Sequence, residues 1–220
     1  VRTGPVIAID GPAGAGKGTL ARRLAAALGV PYLDTGLLYR AVARLVLDAG
    51  ADPGDPRASE AAARALQPSD LNRSDLRGPQ ADAAAAAVAA IPAVRAALLE
   101  FQRNFPSERG AVLDGRDIGT VIFPEAAVKL YVTASLAERA HRRWLELQAN
   151  GLVADPAMVE AEMLARDRHD APRMQQAADA IVLDTTSLDA EAVLTRAMAI
   201  VRRRLAHPGF PRQSDHSRSP

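Results

Sequence analysis

Short apolar runs alternate along this chain with longer stretches of helical period. Val6-Ile7-Ala8-Ile9 is continuously apolar and runs into a glycine-rich turn, the pattern of a strand buried on both faces of a parallel sheet. From Thr19, Leu20, Leu24 and Leu28 recur at helical spacing while Arg22 and Arg23 fall on the other side, which predicts a helix ended by Gly29. Further strands are predicted at Tyr32-Leu33-Asp34, Ala111-Val112-Leu113-Asp114, Val128-Lys129-Leu130-Tyr131-Val132 and Ile181-Val182-Leu183-Asp184. A last helix is predicted to bury Leu194, Met198, Val201 and Leu205 on one face, with Ser187 and Asp189 as capping candidates. Strands alternating with helices imply a three-layer α/β fold around a five-stranded parallel sheet, with ligand sites beyond the C-terminal strand ends.

Two regions depart from this rhythm. Gly50 to about Ser74 is rich in Ala, Asp, Pro and Gly, and Leu76 to Phe101 continues as an alanine-rich helical stretch broken by Pro92. Residues 50–101 are therefore expected to form a helical insertion. Asn150 to Pro156 breaks the pattern between two arginine-bearing helices, which places a small lid at about residues 145–170. One domain is expected over residues 1–206, and the tail at 207–220, dominated by Pro, Ser, His and Arg, is expected to be disordered.

Composition narrows the function. The 27 basic and 26 acidic residues leave a net charge of +1, so no nucleic-acid partner is expected, although arginines cluster at Arg139, Arg142 and Arg143, at Arg166, Arg168 and Arg173, and at Arg202 to Arg204. With no cysteine, disulfides and thiolate chemistry are excluded, and the four His show no metal-binding spacing. No apolar run approaches the roughly 20 residues of a membrane span and no signal-peptide pattern opens the chain, so a cytoplasmic protein without membrane attachment is expected.

The first strand leads into Gly11-Pro12-Ala13-Gly14-Ala15-Gly16-Lys17-Gly18-Thr19. Gly11, Gly14 and Gly16 remove Cβ atoms where backbone must approach an anion, and loop amides with a helix N-terminus can cradle phosphates. Lys17, expected as an exposed loop lysine, supplies a mobile cation for the β- and γ-phosphates of a nucleotide. Gly18 stands where the generic motif has a hydroxyl residue, and Thr19 follows one position later, which makes direct hydroxyl ligation of magnesium less secure. Asp10 and Asp114 end apolar strands nearby and are candidates either for holding water on a metal ion or for capping the turns that follow them.

Asp34-Thr35-Gly36 closes the second predicted strand and leads into a helix with Tyr39 and Arg40. A hydroxyl, free amides and a guanidinium there can hold an acceptor phosphate, or can amount to a helix cap beside a surface arginine. The cluster Asp114-Gly115-Arg116-Asp117-Ile118-Gly119-Thr120 follows the third strand at the same edge, where charge is better explained by a ligand than by packing.

Ile9 to Thr19, Leu33-Asp34-Thr35-Gly36, Tyr39-Arg40, Asp114 to Thr120 and Glu138-Arg139-Ala140-His141-Arg142-Arg143 together closely resemble bacterial cytidylate kinases, over most of residues 5–205. The resemblance implies a P-loop kinase fold with an acceptor-binding insertion and lid, in a cytoplasmic monomer that uses ATP and Mg²⁺ to phosphorylate CMP or dCMP. It implies donor binding by residues 11–19, phosphate contacts by Thr35 and Arg40, and acceptor contacts by Arg95, Arg116, Asp117, Arg166, Asp170 and Arg173. Lys17, Arg116 and Arg173 are the implied catalytic cations, and an acidic Asp117 would suit the cytosine amine, since a carboxylate accepts that hydrogen bond. Ala86 falls where the family commonly carries a serine, and the insertion is shorter than in many bacterial members. Arg166, Asp170 and Arg173 are spaced to share a helical face, unless Pro172 ends the helix and brings Arg173 in from the following turn.

In direct phosphoryl transfer, alignment and charge balance matter more than a protein nucleophile, and no general base is required. The alternatives are a kinase for another small acceptor, such as UMP or AMP, and a nucleotide-dependent RNA-binding switch using the arginine-rich segments. An acceptor panel separates the first, and acceptor-independent ATPase activity would favour the second.

Overall fold

The computed structural model describes residues 4–206; the tail at 207–220 lies outside the described residues. In chain order the elements are β1 (Val6–Asp10), α1 (Lys17–Leu28), β2 (Tyr32–Asp34), α2 (Thr35–Asp48), α3 (Pro56–Ala65), α4 (Pro79–Ala89), α5 (Pro92–Arg103), β3 (Ala111–Gly115), β4 (Val128–Thr133), α6 (Leu136–Ala149), α7 (Pro156–Asp170), β5 (Ile181–Asp184) and α8 (Ala190–Ala206). The strands form one parallel sheet in the order β2-β3-β1-β4-β5. All five predicted strands are present. Every residue of β1 and β3 is buried, as continuous apolar runs in the middle of a parallel sheet should be. In β5, at the sheet edge, Val182 is exposed while Leu183 is buried, so the same run of residues alternates.

Register decides which side chains meet. Asp10 lies opposite Gly115 on β3 and Tyr131 on β4, so the ends of β1 and β3 bring Asp10 and Asp114 to one edge of the sheet. The core under that edge joins Ile7 and Ile9 to Leu20 and Leu24 of α1, Val112, Leu130 and Leu183 of the sheet, and Val193, Ala197 and Val201 of α8. Each fully buried Leu or Ile contributes about 2 kcal/mol. Gly29 ends α1 in the left-handed conformation at φ 66, as its position predicts, and its N–H caps the carbonyls of Ala25 and Ala26.

The face of α8 differs from expectation in part, with Val201 buried as foreseen. Val193, Ala197 and Val201 are the buried positions, Leu194 and Met198 sit at the margin of the core, and Leu205 is exposed. Small Ala197, 0% exposed, lets the helix approach closely there, so contact distance outweighs side-chain size in choosing the seam. Of the capping candidates, Asp189 accepts a hydrogen bond from the Ala192 N–H at 2.8 Å.

The chain divides into two compact units. One comprises residues 4–33 and 106–206 and carries the sheet; the other, 34–105, is helical. In the helical unit α2 packs on α4 and α3 on α5, around Leu38, Val42, Val46, Leu76, Val88, Val94 and Leu98. Helix α4 starts at Pro79 rather than near Leu76, after Gly78 at φ 116, and Pro92 opens α5 with a bend of 96° from α4. Proline suits the first turn of a helix, where its missing N–H has no partner to lose.

In the sheet unit, α6 and α7 form a hairpin around Ala140, Leu147, Val159 and Met163, with Trp144 donating from its indole N–H to the Ala154 carbonyl at 3.0 Å. That bond ties down the loop between the helices.

Candidate active site

The loop between β1 and α1 has the shape of an anion cradle. Gly11 and Gly14 lie at φ 142 and 75, and Gly16, which caps α1, at φ 87, a region that side-chain-bearing residues seldom enter. At Gly11 a Cβ would also stand 1.9 Å from the Val132 carbonyl oxygen, so β4 itself forbids any larger residue. Gly18 differs. A Cβ there would make only ordinary contacts, 3.6 Å from Tyr32 Oη and 3.8 Å from Asp114 Oδ2, so packing does not require glycine, whose absent side chain leaves space facing Asp114.

Lys17 is buried, 6% exposed, contrary to the expectation of an exposed loop lysine. Its ammonium donates to the Pro12 carbonyl at 2.7 Å. Burial, and then the charge of Arg116, pull its pKa down to about 7 against the attraction of Asp114 and Asp10, and Arg166 repels it further. A cation held in this state gains from any anion placed in the loop.

Asp10 and Asp114 both bond to residues distant in sequence. Asp10 accepts the N–H groups of Ile118 and Gly119 at 2.7 Å each, which straps the π-type turn Ile118–Ile122 to the end of β1. Burial raises the Asp10 pKa to about 6, offset in part by those two N–H groups and reinforced by Asp117. Asp114 accepts from the Tyr32 hydroxyl at 2.9 Å and so joins β3 to β2 beside the cradle.

The strapped turn presents Arg116 and Asp117. Asp117 is 7% exposed, and its carbonyl takes the N–H groups of Val121 and Ile122. Arg116 Nε donates to Asp170 Oδ2 at 2.9 Å, and Arg173 Nη2 donates to Asp170 Oδ1 at 3.1 Å. Burial alone would raise the Asp170 carboxyl, but the charges of Arg116 and Arg166 and the hydrogen bonds from Arg116 and Arg173 hold it below the usual carboxylate range. Helix α7 ends at Asp170 and Arg173 lies in the following turn Ala171–Arg173, as the Pro172 alternative foresaw. The sheet unit thus brings Lys17, Arg116, Arg166, Asp170 and Arg173 into one electrostatic neighbourhood.

In the helical unit, Thr35 is buried at the start of α2, where Asp34 caps by accepting the Leu37 N–H at 3.2 Å. Arg40 donates through Nε and Nη2 to Asp82 Oδ1 at 3.0 and 2.9 Å. It also lines a cavity of about 310 Å³ with Arg44, Asp75, Arg77 and Gln80. Arg95 Nη1 donates to the Tyr39 hydroxyl at 3.3 Å and its guanidinium lies 5.9 Å from the centre of that ring. Arg40 is therefore more than a surface arginine beside a cap.

Sequence reasoning named Arg139 only as part of a cluster and passed over Thr185. Both are buried and bonded to the cradle. Arg139 Nη1 donates to the Ala13 carbonyl at 3.1 Å, and the Thr185 hydroxyl donates to the Ala15 carbonyl at the same distance. No local periodicity signals either contact, since Ala15 and Thr185 are 170 residues apart.

Comparison with known proteins adds an independent line. The family described as cytidylate kinase matches residues 7–203. The chain is 60% identical over 203 residues to a cytidylate kinase of Granulibacter bethesdensis, covering 90% of this chain and 97% of that one. It is 61% identical over 205 residues to a cytidylate kinase of Acidiphilium cryptum, covering 91% and 97%. Among solved structures, a gluconokinase from Sinorhizobium meliloti superposes with a TM-score of 0.53 at 13% identity, over 96% of this chain and 100% of that one, a likeness of fold.

Proposed function

This chain belongs to the cytidylate kinase family, and from that premise we infer that it transfers the γ-phosphoryl group of ATP to CMP or dCMP, giving ADP and CDP or dCDP. The observation that carries the chemistry is the gathering of Lys17, Arg116, Arg166 and Arg173 in the unit that holds the glycine cradle, with Lys17 depressed to about 7 by burial and by its cationic neighbours. Such a cluster is satisfied by a polyphosphate whose charge grows at the transferring group, so it favours the transition state over the ligand-free protein.

In this reading residues 11–19 hold the triphosphate, and Lys17, Arg116 and Arg173 balance the charge of the phosphoryl group in flight. The acceptor's own phosphate oxygen is the nucleophile, in line with the leaving ADP oxygen, so no side chain acts as general base. The acceptor contacts are assigned to Thr35, Arg40, Arg95, Asp117, Arg166 and Asp170. Among the described residues no three His, Asp or Glu side chains gather as a metal cage. The residues fit magnesium held mainly by phosphates and water: the Asp114 carboxylate, whose Oδ2 lies 3.8 Å from where a Gly18 Cβ would stand, would accept hydrogen bonds from that water, and the ion would neutralise phosphate charge. Residues from about 145 to 170, around the loop 150–156, act as the lid. Among the described residues no single helix is long and apolar enough to cross a membrane. A monomer working in the cytoplasm, without a nucleic-acid partner, completes the proposal.

The test is an acceptor panel of CMP, dCMP, UMP and AMP with ATP and magnesium, read as ADP release. CMP and dCMP should dominate in kcat/KM. Equal use of UMP or AMP, or sustained ATP hydrolysis without acceptor, would overturn the assignment.

A further inference from the structure

Two buried side chains that take no part in the proposed transfer grip the cradle from behind. Arg139, 5% exposed, donates to four oxygens: the Ala134 carbonyl at 3.0 Å, the Ala13 carbonyl at 3.1 Å, and both Asp167 oxygens at 3.1 and 2.6 Å. Thr185, 2% exposed, has its hydroxyl 3.1 Å from the carbonyls of Ala15 and Thr133. Arg142 Nη1 donates into that hydroxyl at 3.0 Å and Nη2 into the Thr185 carbonyl at 2.7 Å. With its oxygen already accepting from Arg142, the hydroxyl has one proton to give, and the Thr133 carbonyl already receives the Thr185 N–H at 2.8 Å. The Ala15 carbonyl is the better destination.

These bonds fix directions as well as positions. Every peptide described is trans, and in a trans peptide the C=O and the following N–H point opposite ways. Holding the Ala13 and Ala15 carbonyls outward therefore turns the N–H groups of Gly14 and Gly16 the other way. Both glycines sit at positive φ, where unrestrained backbone has several orientations open to it. Gly14 is also backed by α6 and α7: a Cβ on it would lie 2.9 Å from Met163 Cε and 3.1 Å from Arg139 Cβ.

We propose that Arg139 and Thr185 are positioning residues that aim the Gly14 and Gly16 amides at the phosphates of the donor nucleotide. The proposal rests on the reading that residues 11–19 bind ATP, and is independent of which acceptor is used. It also gives the α6–α7 hairpin a second task, because Asp167 of α7 orients the guanidinium that orients the loop.

The experiment measures ATP binding directly, by calorimetry on the full chain with magnesium and no acceptor, beside CMP binding without ATP and thermal unfolding. Thr185→Val keeps the shape and removes the donor. It is expected to weaken ATP at least about fivefold, the worth of one misdirected hydrogen bond, with CMP affinity changed less than twofold, and Thr185→Ser is expected to restore ATP binding. Arg139→Lys is expected to weaken ATP similarly, because an ammonium cannot serve Ala13, Ala134 and Asp167 together. ATP affinity within twofold of wild type in both Thr185→Val and Arg139→Lys would overturn the proposal. Equal losses for ATP and CMP that serine does not repair would overturn it too, as general damage to the fold. Should Thr185→Val not fold, Arg139→Lys decides by the same criterion. A wild-type protein that binds ATP but leaves CMP unphosphorylated would defeat the proposed reaction and leave this test intact.

Discussion

Burial, followed by Arg116, holds Lys17 at about 7 in the ligand-free protein, against 10.5 for an unperturbed lysine. Between those values the unfolded chain binds more protons than the folded one, so this residue's penalty on stability is full below pH 7 and fades as pH rises toward 10.5. Lys17→Met should then raise the melting temperature at pH 6 and change it less at pH 9, while turnover with CMP falls at least about 100-fold, the scale of a lost transition-state donor. Near-normal turnover in the folded variant would reject the catalytic role, and a lower melting temperature at pH 6 would reject the burial argument. The same shift predicts proton uptake. Phosphates in the cradle restore the lysine's charge, so at pH 8 ATP binding should take up a fraction of a proton that vanishes near pH 5.5, and affinity should fall as pH rises above 7. Calorimetry in buffers of different ionisation heat reads this directly, and an unchanged uptake in Lys17→Met would assign the proton elsewhere. Asp117, 7% exposed, sits on the turn that Asp10 straps down, and as the proposed contact of the cytosine amine its amide variant would present a donor to a donor. Asp117→Asn should lower kcat/KM for CMP by more than tenfold with ATP affinity little changed; equal losses for CMP and UMP would make its role structural.

At the scale of elements, the end of α7 and the turn after β3 are joined through Asp170, whose two oxygens receive Arg116 and Arg173. Residues that share a partner do not act independently. Arg116→Ala and Arg173→Ala should each lower kcat/KM for CMP far more than they weaken ATP, and the double variant should lose less than the two effects added, by about 1 kcal/mol or more. Strict additivity would show that Asp170 does not couple them. How much of this was legible in sequence depends on the range of the interaction that decides it. The strands, α1 with its Gly29 cap, the cradle and the break at Pro172 are local, written in runs, spacing and turn residues within a dozen positions. The Asp10 bonds to Ile118 and Gly119 span 108 and 109 residues, and those of Arg139 to Asp167 span 28. Only the register of the sheet and the packing of the α6–α7 hairpin bring those groups together, so in sequence Asp10 stood open between a metal-water acceptor and a turn cap, and Arg139 was one arginine among several. The seam of α8 was read only in part, for a related reason: Val201 is buried and Leu194 and Met198 pack against the core as expected, but Val193 and Ala197 were not foreseen and Leu205 is exposed. Leucine and methionine carry more apolar surface than Ala197, but the closest approach selects the smallest residue.

For the whole molecule, a net charge of +1 leaves almost no net monopole to draw an anionic substrate in. The cations that matter are concentrated locally, as the depression of Lys17 beside Arg116 and Arg166 records. Binding energy must therefore come from short-range contacts formed only with the right ligand in place, and ligand selectivity should appear directly in the stability of the folded chain. A ligand present at 100 times its dissociation constant stabilises by about 2.7 kcal/mol, and in a chain of this size each kcal/mol moves the melting temperature by about 2–4 °C. Magnesium ATP at such a concentration should thus raise the midpoint by about 5–10 °C, and CMP at the corresponding multiple of its own constant should do the same. At that fixed CMP concentration, UMP and AMP should move it by less than about 2 °C, because a nucleotide that leaves a buried acceptor such as Asp117 without its donor gives up the interaction and keeps the desolvation cost. Equal shifts for CMP and UMP would mean that the base is not read at all, and would turn the reading toward a kinase that recognises only the acceptor's phosphate.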